Sequence, residues 1–85
     1  MFEIFPNPAS GSFTIHLVSE QDDCVSIKLL SVEGIVVYSQ PWQKVNRGFN
    51  EINVATSGLP TGVYYVSVTV DENKTKVEKL VIINN

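Results

Sequence analysis

The chain alternates apolar and polar residues in short stretches, a pattern that is typical of β-strands with one buried face. The clearest stretch is residues 62–70, in which Tyr64, Val66 and Val68 share one face. No stretch keeps the period of an amphipathic helix. Six further strands are predicted over residues 2–5, 13–17, 25–29, 35–40, 49–54 and 75–83. The pattern therefore predicts an all-β chain.

Turn-forming residues separate the predicted strands. Gly11 gives the chain freedom to turn into the second strand, and Gly34 and Gly62 stand where a turn needs a positive φ angle. These three glycines are the predicted turn determinants. A polar hairpin is predicted at residues 71–74, and residues 41–48 are predicted to form a loop or an edge connection.

The number and spacing of the strands indicate the fold class. Seven short strands at intervals of about 8–12 residues predict an immunoglobulin-like antiparallel β-sandwich, with a small barrel as the alternative. The 85 residues make one domain, 1–85, with a core of modest size. Leu59 is expected to close one end of that core. The continuous apolar run 80–83 leaves the facing of the last strand open.

Two prolines bracket Asn7 just ahead of the second predicted strand. Pro6 and Pro8 each fix their own φ near about −65° and lack a backbone N–H group. The residue before each proline is pushed towards an extended conformation. The sequence therefore predicts a rigid bend with few donors, which is itself expected to bind nothing.

Charge and hydropathy exclude several classes of partner. The net charge is −3 and the basic residues form no cluster in the sequence, which argues against nucleic acid or an anionic membrane. No apolar run approaches the roughly 20 residues of a membrane span, so no stable membrane insertion is expected. Residues 1–5 lack the pattern of a secretory signal. We therefore expect a domain excised from a larger secreted protein, with Met1 supplied by cloning.

Side chains with catalytic or metal-binding chemistry are few. His16 is predicted to face solvent, and Cys24 to be a half-buried structural thiol that forms no intramolecular disulfide. Acidic residues cluster in the turns 20–23 and 71–73, but neither has the spacing of an EF-hand loop, so solvated turns are favoured over a calcium site. Asn73 begins a glycosylation sequon, which indicates only an exposed hairpin. The sequence predicts no catalytic residue, no cofactor and no metal site.

The aromatic residues leave a sugar-binding role open. Tyr64 shares a face with valines and is assigned to the core, whereas Trp42 lies in the irregular segment and is expected to be partly exposed. A carbohydrate-binding face needs a row of exposed rings on which sugars can stack. Because Trp42 is alone in its segment, we favour an edge plug over a sugar platform.

Three segments, in this order, resemble a known family. They are Phe5-Pro6-Asn7-Pro8-Ala9-Ser10-Gly11 with Phe13-Thr14-Ile15, then Gly58-Leu59-Pro60-Thr61-Gly62-Val63-Tyr64-Tyr65-Val66, and finally Glu78-Lys79-Leu80-Val81-Ile82-Ile83. Together they resemble the C-terminal sorting domain of the type IX (Por) secretion system of Bacteroidetes, in its type A form. Residues 29–37 are similar to the family's central hairpin, although Ser31 and Ile35 stand where the family more usually has Asp and Lys.

The resemblance implies a secretion signal rather than an enzymatic activity. Domains of this family follow an N-terminally fused cargo, are recognised by an outer-membrane translocon and its shuttle protein, and in many cases are removed by a sortase. By this route the cargo passes through the periplasm and outer membrane of a Gram-negative bacterium to the medium or the cell surface, where the sortase acts.

The resemblance also implies roles for particular residues. Cleavage would fall just before Pro6-Asn7-Pro8, and Gly62 and Tyr64 would belong to the sorting motifs. Lys79, Leu80 and Val81 would lie in the recognition strand, which we expect at or near a sheet edge.

Three hypotheses for the function remain. The first is a non-catalytic sorting module, and the second is a fibronectin-like or carbohydrate-binding module of an extracellular enzyme. The third is a structural spacer or self-associating domain. Two questions stay open: the oligomeric state, and whether Lys79 contacts the translocon or protects a strand edge against aggregation.

Overall fold

The computed structural model describes residues 2–71 and 74–84, which fold into seven β-strands. The strands are β1 (Phe2–Ser10), β2 (Ser12–Ser19), β3 (Asp23–Ser31), β4 (Val36–Val45), β5 (Gly48–Ala55), β6 (Gly62–Val70) and β7 (Lys74–Ile82). No helix is present in this part of the chain. The prediction of an all-β chain is confirmed, and each predicted strand corresponds to one of the seven.

The strands form two sheets that pack face to face. One sheet has the order β1-β2-β5 and the other β4-β3-β6-β7, and neighbours within each sheet are antiparallel. Strands β4 and β5 stand at the two ends of the strand order, so the sheets do not close into a barrel. The predicted immunoglobulin-like β-sandwich is therefore confirmed.

Strand β1 joins the two sheets. Its first half, residues 2–5, pairs antiparallel with β2. After the bend at Pro6-Asn7-Pro8, Ala9 pairs in parallel with Ile82 of β7. The peptide bonds that precede both prolines are cis. The bend therefore carries the chain from one sheet to the other.

Alternate residues of the strands fill the space between the sheets, as the period of two predicts. Leu59 packs against this core from the turn before β6, as expected. The buried apolar residues are Ile4, Ala9, Phe13, Ile15, Leu17, Val25, Ile27, Leu29, Val45, Ile52, Val54, Tyr64, Val66, Val68, Leu80 and Ile82.

The facing of β7, which the sequence left open, divides the strand into two halves. Leu80 and Ile82 are fully buried, whereas residues 74–79 are exposed. Lys76 and Glu78 stand opposite Val68 and Val66 of β6, so they share the inner face with Leu80. Only the C-terminal half of β7 therefore contributes to the core. Strands β6 and β7 pair up to Val70 and Lys74, and Glu72 and Asn73 of the predicted hairpin lie outside the described residues.

The segment 41–48 is more regular than the sequence predicts. Strand β4 continues to Val45 and β5 begins at Gly48, so the expected loop is reduced to a short turn. Because β4 lies at the edge of its sheet, Pro41 can occupy it without removing a hydrogen bond from a second neighbour. The positive φ of Gly48, +99°, makes the turn into β5.

Two of the three predicted turn glycines take the expected conformation. Gly11 has a φ of +86° and Gly34 of +85°. The prediction of a positive φ for Gly62 is wrong, because this residue already opens strand β6. The reversal occurs earlier, where the Leu59 N–H donates to the carbonyl of Thr56 at 3.0 Å.

Candidate functional site

The side chain of Asn7 is bound to the terminal strand. Its Nδ2 donates to the carbonyl of Lys79 at 3.0 Å, and its Oδ1 accepts from the Val81 N–H at 2.9 Å. Those are the backbone groups that a neighbouring strand would pair. Because Pro6 and Pro8 supply no N–H, the amide side chain replaces a backbone rung between β1 and β7. The bend thus forms a contact within the domain that the sequence did not predict.

The same contact continues along β7. The Ile83 N–H donates to the carbonyl of Ala9 at 2.8 Å, next to the parallel pair of Ala9 and Ile82. Residues 79–83 are therefore covered by the second half of β1. We expected the recognition segment at or near a sheet edge. Among the described residues of β7, the open edge is formed by residues 74–78, which precede that segment. The structure thus brings the bend and the predicted recognition segment together at one place.

Asn84 fastens the end of the chain and was missed in the sequence. Its Oδ1 accepts from the Gly11 N–H at 3.2 Å, and its Nδ2 donates to the carbonyls of Thr56 and Leu59 at 2.7 and 2.6 Å. The Thr61 hydroxyl donates to the Asn84 carbonyl and accepts from its N–H, at 2.7 and 2.8 Å. These bonds join the turns before β2 and β6 to the end of β7. The sequence signal is weak, an asparagine after an apolar strand.

Tyr64 is buried, as predicted, and it fixes the start of β6. Its hydroxyl donates to the carbonyl of Pro60 at 2.6 Å, four residues upstream. A tyrosine that bonds back to the backbone in this way is a recurrent feature of immunoglobulin-like sandwiches. A Cβ at Gly62 would stand 3.8 Å from the Tyr64 ring, which is ordinary contact. Tyr64 therefore shapes this corner, and the space beside its ring does not require a glycine at position 62.

Lys79 lies on the outer face of its sheet. Across the strands it stands beside Tyr65 of β6, which in turn stands beside Leu30 of β3. The side chain of Lys79 is exposed and forms no salt bridge with another described residue. Its ammonium group is therefore available to a partner, above a surface that is partly apolar.

The first half of β7 forms an open edge. Residues 74–78 have no neighbour on the side away from β6 among the described residues, because β1 reaches the strand only at its C-terminal half. A cavity of about 270 Å³ lies beside this edge, with Phe2, Leu17, Val68 and Val70 among the residues that line it. Three of the six basic residues of the chain lie in β7, at positions 74, 76 and 79. Half of the basic residues thus lie in this strand, with Lys76 on its inner face and Lys79 on its outer face.

His16 faces outward from β2, as predicted, although its side chain is only 25% exposed. Its ring lies edge-to-face between Phe5 and Phe49, with centroid distances of 4.4 and 4.7 Å. Its Nε2 is 3.2 Å from a carboxylate oxygen of Glu51 on β5.

Cys24 is exposed rather than half-buried. Its outward facing follows from its position beside Val25, which is turned into the core.

Trp42 is partly exposed, as predicted, on edge strand β4. It lies beside a shallow depression whose other lining residues are Ser26, Lys28, Ser39, Gln40, Pro41 and Thr69. None of these supplies a second ring, so the depression lacks the row of rings on which a sugar would stack.

Two further properties bear on the classes of site that the sequence raised. Within residues 2–71 and 74–84, His, Cys, Asp and Glu side chains do not come together in groups of three or more that could hold a metal ion. The same residues contain no helix long and apolar enough to cross a membrane.

The fold and the contacts around β7 define a small sandwich domain whose last strand is tied to its first. Residues 3–83 match the protein family described as "Secretion system C-terminal sorting domain". The chain therefore belongs to this family, whose members are signals for type IX secretion. The match includes Asn7 and the whole of β7, and it ends just before Asn84. Neither the curated proteins nor the solved structures contain a match to the chain.

Proposed function

We propose that this domain is the non-catalytic sorting module of a larger secreted protein. The cargo is joined at its N-terminal side, and the domain directs that cargo through the outer membrane by the type IX translocon and its shuttle protein. The proposal places the domain in the type A form found in Bacteroidetes. Membership of the sorting-domain family supports it, together with the motifs Pro6-Asn7-Pro8 and Lys79-Leu80-Val81.

The observation that carries the proposal is the bond between Asn7 and β7. The cargo linker leads into β1, which pairs with β2 before it reaches the Pro6-Asn7-Pro8 bend, and the recognition segment begins at Lys79. Because the Asn7 amide bonds to both Lys79 and Val81, the boundary and the recognition segment form one unit. A translocon that binds this unit contacts the Pro6-Asn7-Pro8 bend and the segment that begins at Lys79 at the same time.

Lys79 acts as a contact in this proposal. A charge that protects an edge against aggregation stands on the open part of a strand. Lys79 lies instead where Asn7 covers the backbone, with its side chain exposed beside Tyr65. A charged group above apolar neighbours is suited to specific recognition by an acidic surface.

In the final step, we propose, a sortase cleaves the linker that precedes β1 and joins the cargo to an anionic lipopolysaccharide. The resemblance implies cleavage just before Pro6-Asn7-Pro8, but residues 2–5 pair with β2 and Ile4 is buried in the core. The accessible linker of this proposal therefore lies ahead of Phe2.

The proposal is tested with a reporter that is exported to the periplasm and joined to residues 1–85, in a host that has type IX secretion. Removal of residues 79–85 should leave the reporter in the periplasm. Because that deletion also removes Leu80 and Ile82 from the core, the sharper variant is Lys79→Ala, compared with Lys44→Ala on β4. We expect reduced secretion for Lys79→Ala alone. Normal secretion after the deletion would contradict the proposal.

A further inference from the structure

The open edge of β7 offers a defined set of backbone groups. Asn7 bonds to the Lys79 carbonyl and the Val81 N–H, so the odd-numbered residues of β7 point these groups away from β6. The N–H and C=O of Thr75 and Val77, and the N–H of Lys79, have no hydrogen-bond partner among the described residues. The open edge therefore runs from Thr75 to Lys79, where Asn7 closes it.

We propose that this edge pairs with the same edge of a second copy of the chain, antiparallel and centred on Val77. In this register Val77 stands opposite the partner's Val77, and Thr75 opposite the partner's Lys79. Each of these pairs consists of odd-numbered residues, whose N–H and C=O groups face the open side. The open N–H and C=O of Val77 thus meet those of the partner's Val77, and the Lys79 N–H meets the partner's Thr75 carbonyl, whereas the Lys79 carbonyl already accepts from Asn7.

The charges of Lys76 and Glu78 are complementary in this register. Lys76 stands opposite the partner's Glu78, and Glu78 opposite the partner's Lys76, so the interface contains two pairs of opposite charge. These are non-hydrogen-bonded pairs, in which facing Cα atoms are only about 4.5 Å apart and the side chains are closest. A shift of two residues in one direction would oppose Lys76 to the partner's Lys76, and it would also place Lys74 opposite the partner's Glu78. A shift in the other direction would oppose the two Glu78 side chains.

The length of the edge limits the strength of the pairing. Five residues of strand span about 17 Å, and the Asn7 side chain and the β6–β7 turn stand at the two ends. Residues 74–79 are exposed, so a second strand can approach. An interface of this size is expected to be weak and to depend on concentration. It uses the strand edge and leaves the Lys79 side chain exposed, so it does not rest on the proposed sorting function.

Sedimentation velocity of the full chain, from micromolar to millimolar concentration, tests the pairing. The mean mass should rise from 9.4 kDa towards twice that value. K76E and E78K should each stay at the monomer mass, because each opposes like charges twice. An equimolar mixture of the two should form a heterodimer, since both copies then contribute opposite charges. K44E, on β4, should associate as the wild type does.

A second variant tests the backbone pairing alone. Val77→Pro removes an N–H that faces the open side, so it leaves the bonds between β6 and β7 in place. Its circular dichroism should stay that of the wild type while its dimer is lost. The proposal is overturned if the wild type keeps the monomer mass at every concentration, if the K76E and E78K mixture does not associate, or if Val77→Pro still forms the dimer.

Discussion

The side-chain amide of Asn7 donates a hydrogen bond to the backbone carbonyl of Lys79 at 3.0 Å, across 72 residues of sequence. With the second bond to Val81, it makes one side chain equivalent to a rung of a β-ladder. The two ends of the domain are held together at this point. Four predictions on stability follow from this bond, from the end of the chain, from β7 and from the turns.

Asn7→Ala should lower the free energy of unfolding by about 1 kcal/mol, because it removes both bonds to β7 at an exposed site. Asn46→Ala is the matched control, since the side chain of this exposed asparagine forms no hydrogen bond among the described residues. Urea unfolding of the two variants measures the difference. Equal stability of the two would show that the Asn7 bonds contribute nothing.

Asn84→Ala should destabilise the domain more than Asn7→Ala does. It removes a bond to Gly11 and leaves the carbonyls of Thr56 and Leu59 without the donor that now reaches them. We expect a loss of about 1–3 kcal/mol, which lowers the melting temperature of a domain of this size by about 4–8 °C per kcal/mol. Calorimetry decides, and a melting temperature equal to that of the wild type would contradict the assigned contacts.

The two faces of β7 should respond differently to truncation. Leu80 is 0% exposed, so Leu80→Ala should cost about 2–5 kcal/mol through lost burial and a cavity. Val77 is 57% exposed on the other face, and Val77→Ala should change the stability by less than about 0.5 kcal/mol. Guanidinium unfolding compares the two. Similar losses would mean that β7 faces the core differently.

Gly34→Ala and Gly62→Ala should differ although both glycines flank turns. At a φ of +85°, a side chain on residue 34 costs about 1–2 kcal/mol. Gly62 lies outside the left-handed region, and its added Cβ makes only ordinary contact with Tyr64. Gly62→Ala should therefore be neutral or slightly stabilising. Thermal unfolding measures the stability of both variants. Equal losses of stability would contradict the φ angle assigned to Gly62 and indicate a positive one.

The strands were predictable because each one carries its own signal. The alternation of Tyr64, Val66 and Val68 identifies both the strand and its buried face, whatever the rest of the chain does. The regularity of β4 was not predictable, because Pro41 and Trp42 interrupt its pattern and only its place at the sheet edge tolerates them. Only the C-terminal half of β7 has β1 as a neighbour, and the extent of that pairing depends on the residue at which β1 passes from one sheet to the other. No local sequence pattern specifies that residue.

The contacts of the site escaped prediction for a related reason. Asn7 and Asn84 each bond to backbone groups more than 70 residues away. Because nearly every residue carries the same backbone N–H and C=O groups, the sequence does not indicate which of them a side chain will bond. The motifs Pro6-Asn7-Pro8 and Lys79-Leu80-Val81 meet in the structure through the side chain of Asn7. Their resemblance to a family could not say how they meet.

The proposed sorting function is tested most directly by the extracellular fraction of a reporter joined to residues 1–85. The measurement uses a host with an intact type IX translocon and the same host without it, and the reporter alone serves as the control. Our proposal predicts that the reporter leaves the cell only when both the domain and the translocon are present. A reporter that stays in the periplasm of the intact host, or that is secreted equally without the translocon, would contradict it.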